Sequence, residues 1–353
     1  MCSPNRVAER RIPHWIVWAI VRSVVCLPNR FISTPPLLEL DRVHVTFPIR
    51  RGVFSRVSGH VRAVQDVTLS LASGEVLGLV GESGCGKSTL ARSIMMLQPP
   101  ASGEIRIDGK NVYAATGDEA KKIRRDVQIV FQDPYASLNP RMPVYQIITE
   151  GLVTHGMIKV DEREESARVL LNDVGLGAEA LVRDPHAFSG GQRQRISIAR
   201  DISMRPRLIV CDEAVSALDV SIQAQVINLL MDLKEKYALS YVFISHDLSV
   251  VNLIADRVAV MYLGRIVEEG PCDQVLQQPQ HPYTQALLAV VPRVGGARDR
   301  LPVLAGEIPS VTHPPPGCPF HTRCPHVMDV CRKTAPELRF QKDQMVSCHL
   351  FDR

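Results

Sequence analysis

Apolar residues along the chain fall into short dense runs separated by longer periodic stretches. Residues 76–80, 104–107, 127–131, 208–211, 241–245, 258–262 and 265–268 read as strands, and 38–47 and 63–71 alternate imperfectly in the same sense. Leu263-Gly264, set between the last two runs, predicts a hairpin. Residues 90–97, 161–174, 190–204, 221–237 and 248–255 carry helical spacing instead. Strands alternating with helices predict an α/β fold built on a mostly parallel, helix-covered sheet. No strong strand signal occurs in 133–205, which therefore reads as a helical insertion. From Pro292 the composition shifts to Pro and Cys. The predicted parts are an N-terminal extension (1–36), a main domain (37–291, helical subdomain about 133–205) and a C-terminal extension (292–353).

Composition changes this picture little. At 353 residues and 45% hydrophobic content the chain can bury one large core and a smaller module. Its net charge is +4, and the first thirty residues hold Arg6, Arg10, Arg11, Arg22 and Arg30 against Glu9 alone, so the rest is balanced. A balanced body lacks the basic footprint that duplex binding demands, and nucleic acid is not an expected partner. Residues 12–27 are apolar but broken by Pro13 and Arg22, too short to span a bilayer and without a clean cleavage site. They predict a poorly ordered extension or a start set too far upstream, with Trp15 and Trp18 resting in a membrane interface as the alternative.

The candidate chemistry begins where the run 76–80 ends. Gly81-Glu82-Ser83-Gly84-Cys85-Gly86-Lys87-Ser88-Thr89 follows that strand and leads into a helix. Glycines let consecutive backbone N–H groups turn toward one point, and the helix start adds its positive dipole end, so a polyphosphate fits there. Lys87 would reach the β- and γ-phosphates, and the Ser88 hydroxyl would sit on a bridging Mg²⁺. A second strand, 208–211, runs into Asp212 and Glu213, one acid to hold Mg²⁺ and one to polarise water. Its apolar approach is expected to raise the second acid's proton affinity. Phe188-Ser189-Gly190-Gly191-Gln192 opens a predicted helix: either a second anion site or an ordinary cap and turn.

Taken in order, these segments resemble the ATPases of ATP-binding cassette (ABC) transporters. Residues 81–89 resemble Walker A, 208–212 Walker B, and 188–192 the signature motif, with Phe188 at the usual leucine position. Gln132 in Phe131-Gln132-Asp133-Pro134 matches the Q-loop, Asp219 in Ser216-Ala217-Leu218-Asp219 the D-loop, and His246 the switch histidine. Phe47 falls where the family stacks adenine, though it fits a core position equally well. The resemblance spans about 37–353 and implies an ABC-type P-loop ATPase domain, a mixed sheet with a helical subdomain. It further implies ATP and Mg²⁺ as cofactors, Gln132 joining Ser88 and Asp212 around the metal. Glu213 is then the general base, oriented by His246 and Gln132. Two cassettes dimerise head to tail, each covering the other's γ-phosphate with Ser189, Gly190, Gly191 and Gln192.

The tail narrows the group. His281-Pro282-Tyr283-Thr284, then Leu304-Ala305-Gly306-Glu307-Ile308-Pro309 and Gly317-Cys318-Pro319-Phe320, are similar to the C-terminal extension of oligopeptide and dipeptide importer ATPases, and 131–141 resembles their second ATPase subunit. This implies a peripheral protein on the cytoplasmic face of the membrane, working with two permease subunits, a second and related ATPase chain and, indirectly, an extracytoplasmic substrate-binding protein. Glutathione or nickel import is the alternative within the group. A soluble cassette acting on nucleic acid is the alternative outside it, disfavoured by a single cassette without sustained heptads. Cys318, Cys324, Cys331 and Cys348 are separated by five, six and sixteen residues. They could hold a [4Fe–4S] cluster, as members of the group with such a tail do, or Zn²⁺, or stay free; His313, His321, His326 and His349 are spare ligands. Cys85, Cys211 and Cys272 read as fillers.

Overall fold

A computed structural model describes residues 36–51, 56–290, 306–307, 309–312 and 314–352. The apolar run 12–27 and His313 lie outside these residues. Residues 36–353 cluster as one compact unit.

An eight-stranded sheet forms the centre. In spatial order its strands are β11 (Arg339–Gln341), β12 (Gln344–Val346), β10 (Arg265–Pro271), β9 (Arg257–Tyr262), β3 (Val76–Val80), β8 (Ser240–Ile244), β7 (Leu208–Asp212) and β6 (Val127–Val130). The five strands from β9 to β6 run parallel, and β10, β12 and β11 add antiparallel pairs at one side. The sheet is therefore mixed, with its larger part parallel as expected. A separate antiparallel sheet contains β2 (Arg56–Leu71), β1 (Leu38–Arg51), β4 (Ser102–Ile107) and β5 (Lys110–Asn111).

The dense apolar runs have a direct cause. Side chains alternate across a strand, and both faces of the main sheet are covered. On β3, Val76 and Val80 enter one core while Leu77 and Leu79 enter the other. Tyr241 and Phe243 of β8 divide from Val242 and Ile244 in the same way. One core holds the helices, the other the small sheet and the helix Lys87–Ile94. Gly78 sits at the centre of β3 because a Cβ there would come within 2.6 Å of Val251 Cγ1, on the covering helix Leu248–Ile254.

Among the described residues the chain between β6 and β7 forms no strand. It builds the helices Pro134–Ser137, Val144–Thr154, Arg163–Asp173 and Gly190–Ser203. The tail joins the body instead of standing apart: β12 pairs with β10, setting Val346 opposite Glu268. Phe320 is buried with its ring centroid 5.3 Å from Tyr262 and 5.4 Å from Tyr283.

His281 shows how tightly this junction is built. Its Nδ1 accepts the Tyr283 N–H at 3.0 Å, capping the helix Pro282–Ala289, and the ring is 1% exposed. Burial pushes its pKa down to about 3, so the folded ring stays neutral where an unfolded histidine takes up a proton near 6.5. The unfolded state binds more protons as the pH falls, so this contribution is full above about pH 6.5 and is lost on acidification towards the folded value. His281→Asn keeps a capping acceptor without the titration. Between pH 7 and pH 5 the variant should lose about 2 kcal/mol less unfolding free energy than the parent, read from urea midpoints at each pH.

Candidate functional site

Because β3, β8, β7 and β6 are neighbours and parallel, their carboxyl ends open on one edge of the sheet. β3 delivers the loop 81–86, β8 delivers His246, β7 delivers Asp212 and Glu213, and β6 delivers Gln132. Ligands bind at this edge in open α/β sheets, since loops and helix starts gather there.

The loop is wedged against other backbone. Gly81 has φ 151°, and a Cβ on it would lie 2.2 Å from the Met261 carbonyl oxygen. Gly86 has φ 112°, and its Cβ would lie 2.3 Å from the Ala63 carbonyl oxygen. Gly86 caps the helix Lys87–Ile94 without a side chain, leaving the first amides of that helix for an anion. Lys87 is buried, its Nζ donating to the carbonyls of Gly81 at 2.7 Å and Glu82 at 3.0 Å. Ser83 and Gly84 form the exposed rim, and Thr89 continues the helix with its carbonyl accepting from Ser93 Oγ. Cys85 is buried beneath, its thiol pKa raised by desolvation against the pull of Lys87.

Ser88 Oγ donates to Asp212 Oδ1 at 3.0 Å. Burial raises the Asp212 pKa, the Ser88 bond opposing it and the Glu213 charge adding to it. Glu213 has φ 50°, a conformation that costs on the order of 1–3 kcal/mol in a residue with a Cβ. Its backbone is held there: its N–H donates to the Ile244 carbonyl at 3.0 Å, and its carbonyl accepts from Ser216 N at 3.1 Å and Ser216 Oγ at 3.0 Å. The Glu213 carboxylate Oε2 accepts from Gln132 Nε2 at 2.9 Å and stands 3.6 Å from His246 Nδ1. Ser88 and Asp212 are the all-oxygen donor type that Mg²⁺ prefers, so this pair fits the ion. Gln132 is engaged with Glu213 and not with that pair.

Ser189 caps the helix Gly190–Ser203 through a reciprocal pair with Gln192: Gln192 N–H to Ser189 Oγ at 3.4 Å, Ser189 N–H to Gln192 Oε1 at 3.1 Å. A Cβ on Gly191 would meet Ile222 Cγ2 at 2.5 Å, so the helix start lies close on the helix Val220–Tyr237. Phe188 is buried, with the Arg183 guanidinium 4.6 Å from its ring centroid. Asp219 is exposed at the start of Val220–Tyr237. Phe47 lies half-buried on β1 against the core of the small sheet. Among the described residues no hydrogen bond joins 189–192 to 81–89, so one chain does not close its two anion-type segments on each other.

In the tail, Cys318 and Cys331 are buried, Cys324 and Cys348 half-buried. The Cys318 N–H donates to the Cys331 carbonyl at 2.8 Å. Burial pushes the Cys318 thiol up to about 11, and Cys331, Cys348 and Cys324 add to the rise. Yet among the described residues no group of three or more His, Cys, Asp or Glu stands together to hold a metal ion. His321 and His349 are engaged with the carbonyls of Cys318 and Thr334.

Two families match this chain: ABC transporter over residues 64–216, and oligopeptide/dipeptide transporter, C-terminal region, over 267–331. The oligopeptide transport ATP-binding protein AppF of Bacillus subtilis (strain 168) is 50% identical over 321 residues, 89% of this chain and 97% of that one. The dipeptide transport ATP-binding protein DppF of Escherichia coli (strain K12) is 47% identical over 320 residues, 90% and 95% of the two chains. The chain belongs to the ABC transporter ATPases. Among solved structures it is similar to the dimeric, post-hydrolysis state of the ATP-binding cassette MJ0796 with ADP and Pi, at 29% identity and a TM-score of 0.59 over 67% of this chain and 98% of that one.

The cassette is thus an ATP-binding, ATP-hydrolysing protein with an α/β ABC fold, and no helix of its described residues is long and apolar enough to cross a membrane. Two residues at the site lie outside the nucleotide-site motifs. Tyr283 and Arg323 both reach Glu82 of the phosphate loop. Tyr283 belongs to the HPYT run that marked the tail, but nothing in its spacing points to the loop.

Gly86→Ala tests the wedge. The added methyl meets a backbone carbonyl and the φ is unfavourable, so the variant should lose about 1–3 kcal/mol of stability in urea unfolding and bind ATP more weakly.

Proposed function

We propose that this cassette energises an importer of oligopeptides or dipeptides. The cargo class is supported by the names of the two relatives and by the match of the tail to the oligopeptide/dipeptide transporter C-terminal region. The observation that carries the catalytic reading is the Glu213 carboxylate, whose Oε2 accepts from Gln132 at 2.9 Å and lies 3.6 Å from His246, next to the Ser88–Asp212 pair.

ATP binds with its phosphates on the amides of 81–89 and the helix start, and Lys87 exchanges the carbonyls of Gly81 and Glu82 for the β- and γ-phosphates. Phe47 supplies an apolar face for the adenine. Ser88 and Asp212 would hold Mg²⁺, with Gln132 free to join once it leaves Glu213; bound there, the ion neutralises charge on the phosphates. Glu213 takes a proton from water as the water oxygen attacks the γ-phosphorus and the bond to the β–γ bridging oxygen breaks, giving ADP and phosphate. Gln132 and His246 orient the base and the water. A second, related cassette covers the γ-phosphate with its own signature segment, as Ser189, Gly190, Gly191 and Gln192 do in return, and Asp219 lies along the same contact. Closure around ATP and reopening after hydrolysis drive two permease subunits at the cytoplasmic face of the membrane, fed by an extracytoplasmic binding protein.

A [4Fe–4S] cluster on Cys318, Cys324, Cys331 and Cys348, with zinc as the alternative, is supported by the tail's resemblance and the thiol donor type alone. The four side chains do not stand as a ligand set here, and no step runs through it.

Glu213→Gln should keep ATP binding while steady-state hydrolysis falls at least about 100-fold; wild-type turnover would refute the base assignment. Full-length cassette extracted from membranes should carry two multi-spanning permeases with it. Recovery with nucleic acid in a salt-sensitive complex would instead favour a soluble cassette.

A further inference from the structure

Two side chains from the C-terminal part of the chain reach Glu82 of the phosphate loop, whose carboxylate, N–H and carbonyl are all tied. Its carboxylate takes two hydrogen bonds from the Arg323 guanidinium, Nη1 to Oε2 at 2.7 Å and Nη2 to Oε1 at 3.0 Å. Its N–H donates to the Tyr283 hydroxyl oxygen at 2.9 Å, and its carbonyl accepts from Lys87 Nζ at 3.0 Å. Tyr283 and Arg323 lie 201 and 241 positions further along the chain.

Both holders are themselves fixed. Tyr283 is fully buried, its ring centroid 4.6 Å from Tyr262 and 5.4 Å from Phe320. The Arg323 side chain is 3% exposed, and its N–H donates to the Phe320 carbonyl at 3.0 Å. Its guanidinium carbon lies 6.0 Å from the Tyr262 ring centroid. Gly306 lies against it, where a Cβ would come within 3.3 Å of Arg323 Cγ.

Such a two-pronged contact does two things for a loop that must take up a triphosphate. A carboxylate in the second position of that loop would repel the phosphates, and a guanidinium fork both neutralises it and fixes its direction. The Tyr283 hydroxyl captures the Glu82 N–H, which sets the plane of the Gly81–Glu82 peptide and with it the direction of the Gly81 carbonyl beside Lys87. We propose that Arg323 and Tyr283 are positioning residues for ATP, holding Glu82 so that the phosphate loop keeps its shape and its charge balance. The C-terminal segment then belongs to the nucleotide site as much as to the tail.

The test is binding of an ATP analogue carrying a fluorescent ribose tag to the full-length chain. Arg323→Ala should raise its Kd roughly tenfold, and Arg323→Lys, which keeps the charge but not the fork, should fall between that variant and the parent. Adding Glu82→Gln to Arg323→Ala removes the stranded charge and should bring the Kd back to within about threefold of the parent, a rescue that general loosening of the tail would not give. Tyr283→Phe deletes only the hydroxyl and should weaken binding about threefold; together with Arg323→Lys it carries the test if Arg323→Ala does not fold. Parental affinity in both Arg323→Lys and Tyr283→Phe would overturn the proposal. So would a double variant that binds no better than Arg323→Ala.

Discussion

Only hydrogen fits between the phosphate loop and two carbonyl groups, those of Ala63 on β2 and Met261 on β9. The two strands belong to different sheets, so the loop is the wedge on which the small sheet and the main sheet meet. The turn after β9 completes the joint: Gly264 donates to the Cys85 carbonyl at 2.8 Å and accepts from Gln65 N–H at 2.8 Å. A loop held this way need not be ordered by its ligand. Its amides and the helix start behind them are aimed in advance, which is the source of strong anion binding by backbone alone.

The main sheet imposes the second constraint. β3, β8 and β7 are buried on both faces, and the polar side chains of the site appear where these strands end. Asp212 follows the fully buried Cys211, and Glu213 follows at once in a left-handed backbone conformation that three hydrogen bonds maintain. Strain of that kind persists where the surroundings over-determine it. Here it keeps the carboxylate on the side of Gln132 and His246.

This logic also explains what could be read in advance. Gln132 and Asp212 follow directly on an apolar run, and Glu213 and His246 come one residue later, so pattern alone marks them as strand-tip residues. What a linear reading cannot supply is that β3, β8, β7 and β6 lie side by side, because that order depends on crossovers spanning the whole domain. The helix Gly117–Asp126 carries no apolar stripe to mark it in the sequence, Ile123 being its one buried residue. Val144–Thr154 falls within the stretch 133–205 that reads as a helical insertion, and its buried Val144, Ile147, Ile148 and Leu152 keep helical spacing. β11 and β12, three residues each, are too short to show alternation. Arg323 sits in a Pro- and Cys-rich stretch whose conspicuous feature is its thiols, and only tertiary contact reveals that it reaches Glu82.

On the proposed reading, the element that closes the site comes from a second chain. The Ser189 hydroxyl is occupied within its own capping pair, and among the described residues its segment makes no hydrogen bond to the loop it would complement. Meanwhile the helix beginning after Asp219 opens with Val220, 82% exposed, an apolar side chain left in water at the edge of the proposed contact. On the proposed reading both features have one cause. A triphosphate cradled on one side by 81–89 presents its γ-phosphate outward, and the partner segment that meets it must come from another cassette, whose approach also covers Val220. ATP is then bound in full only by two chains at once, and its hydrolysis removes the group that both of them hold. That is the property a machine needs if it is to turn bond cleavage into separation of two bodies.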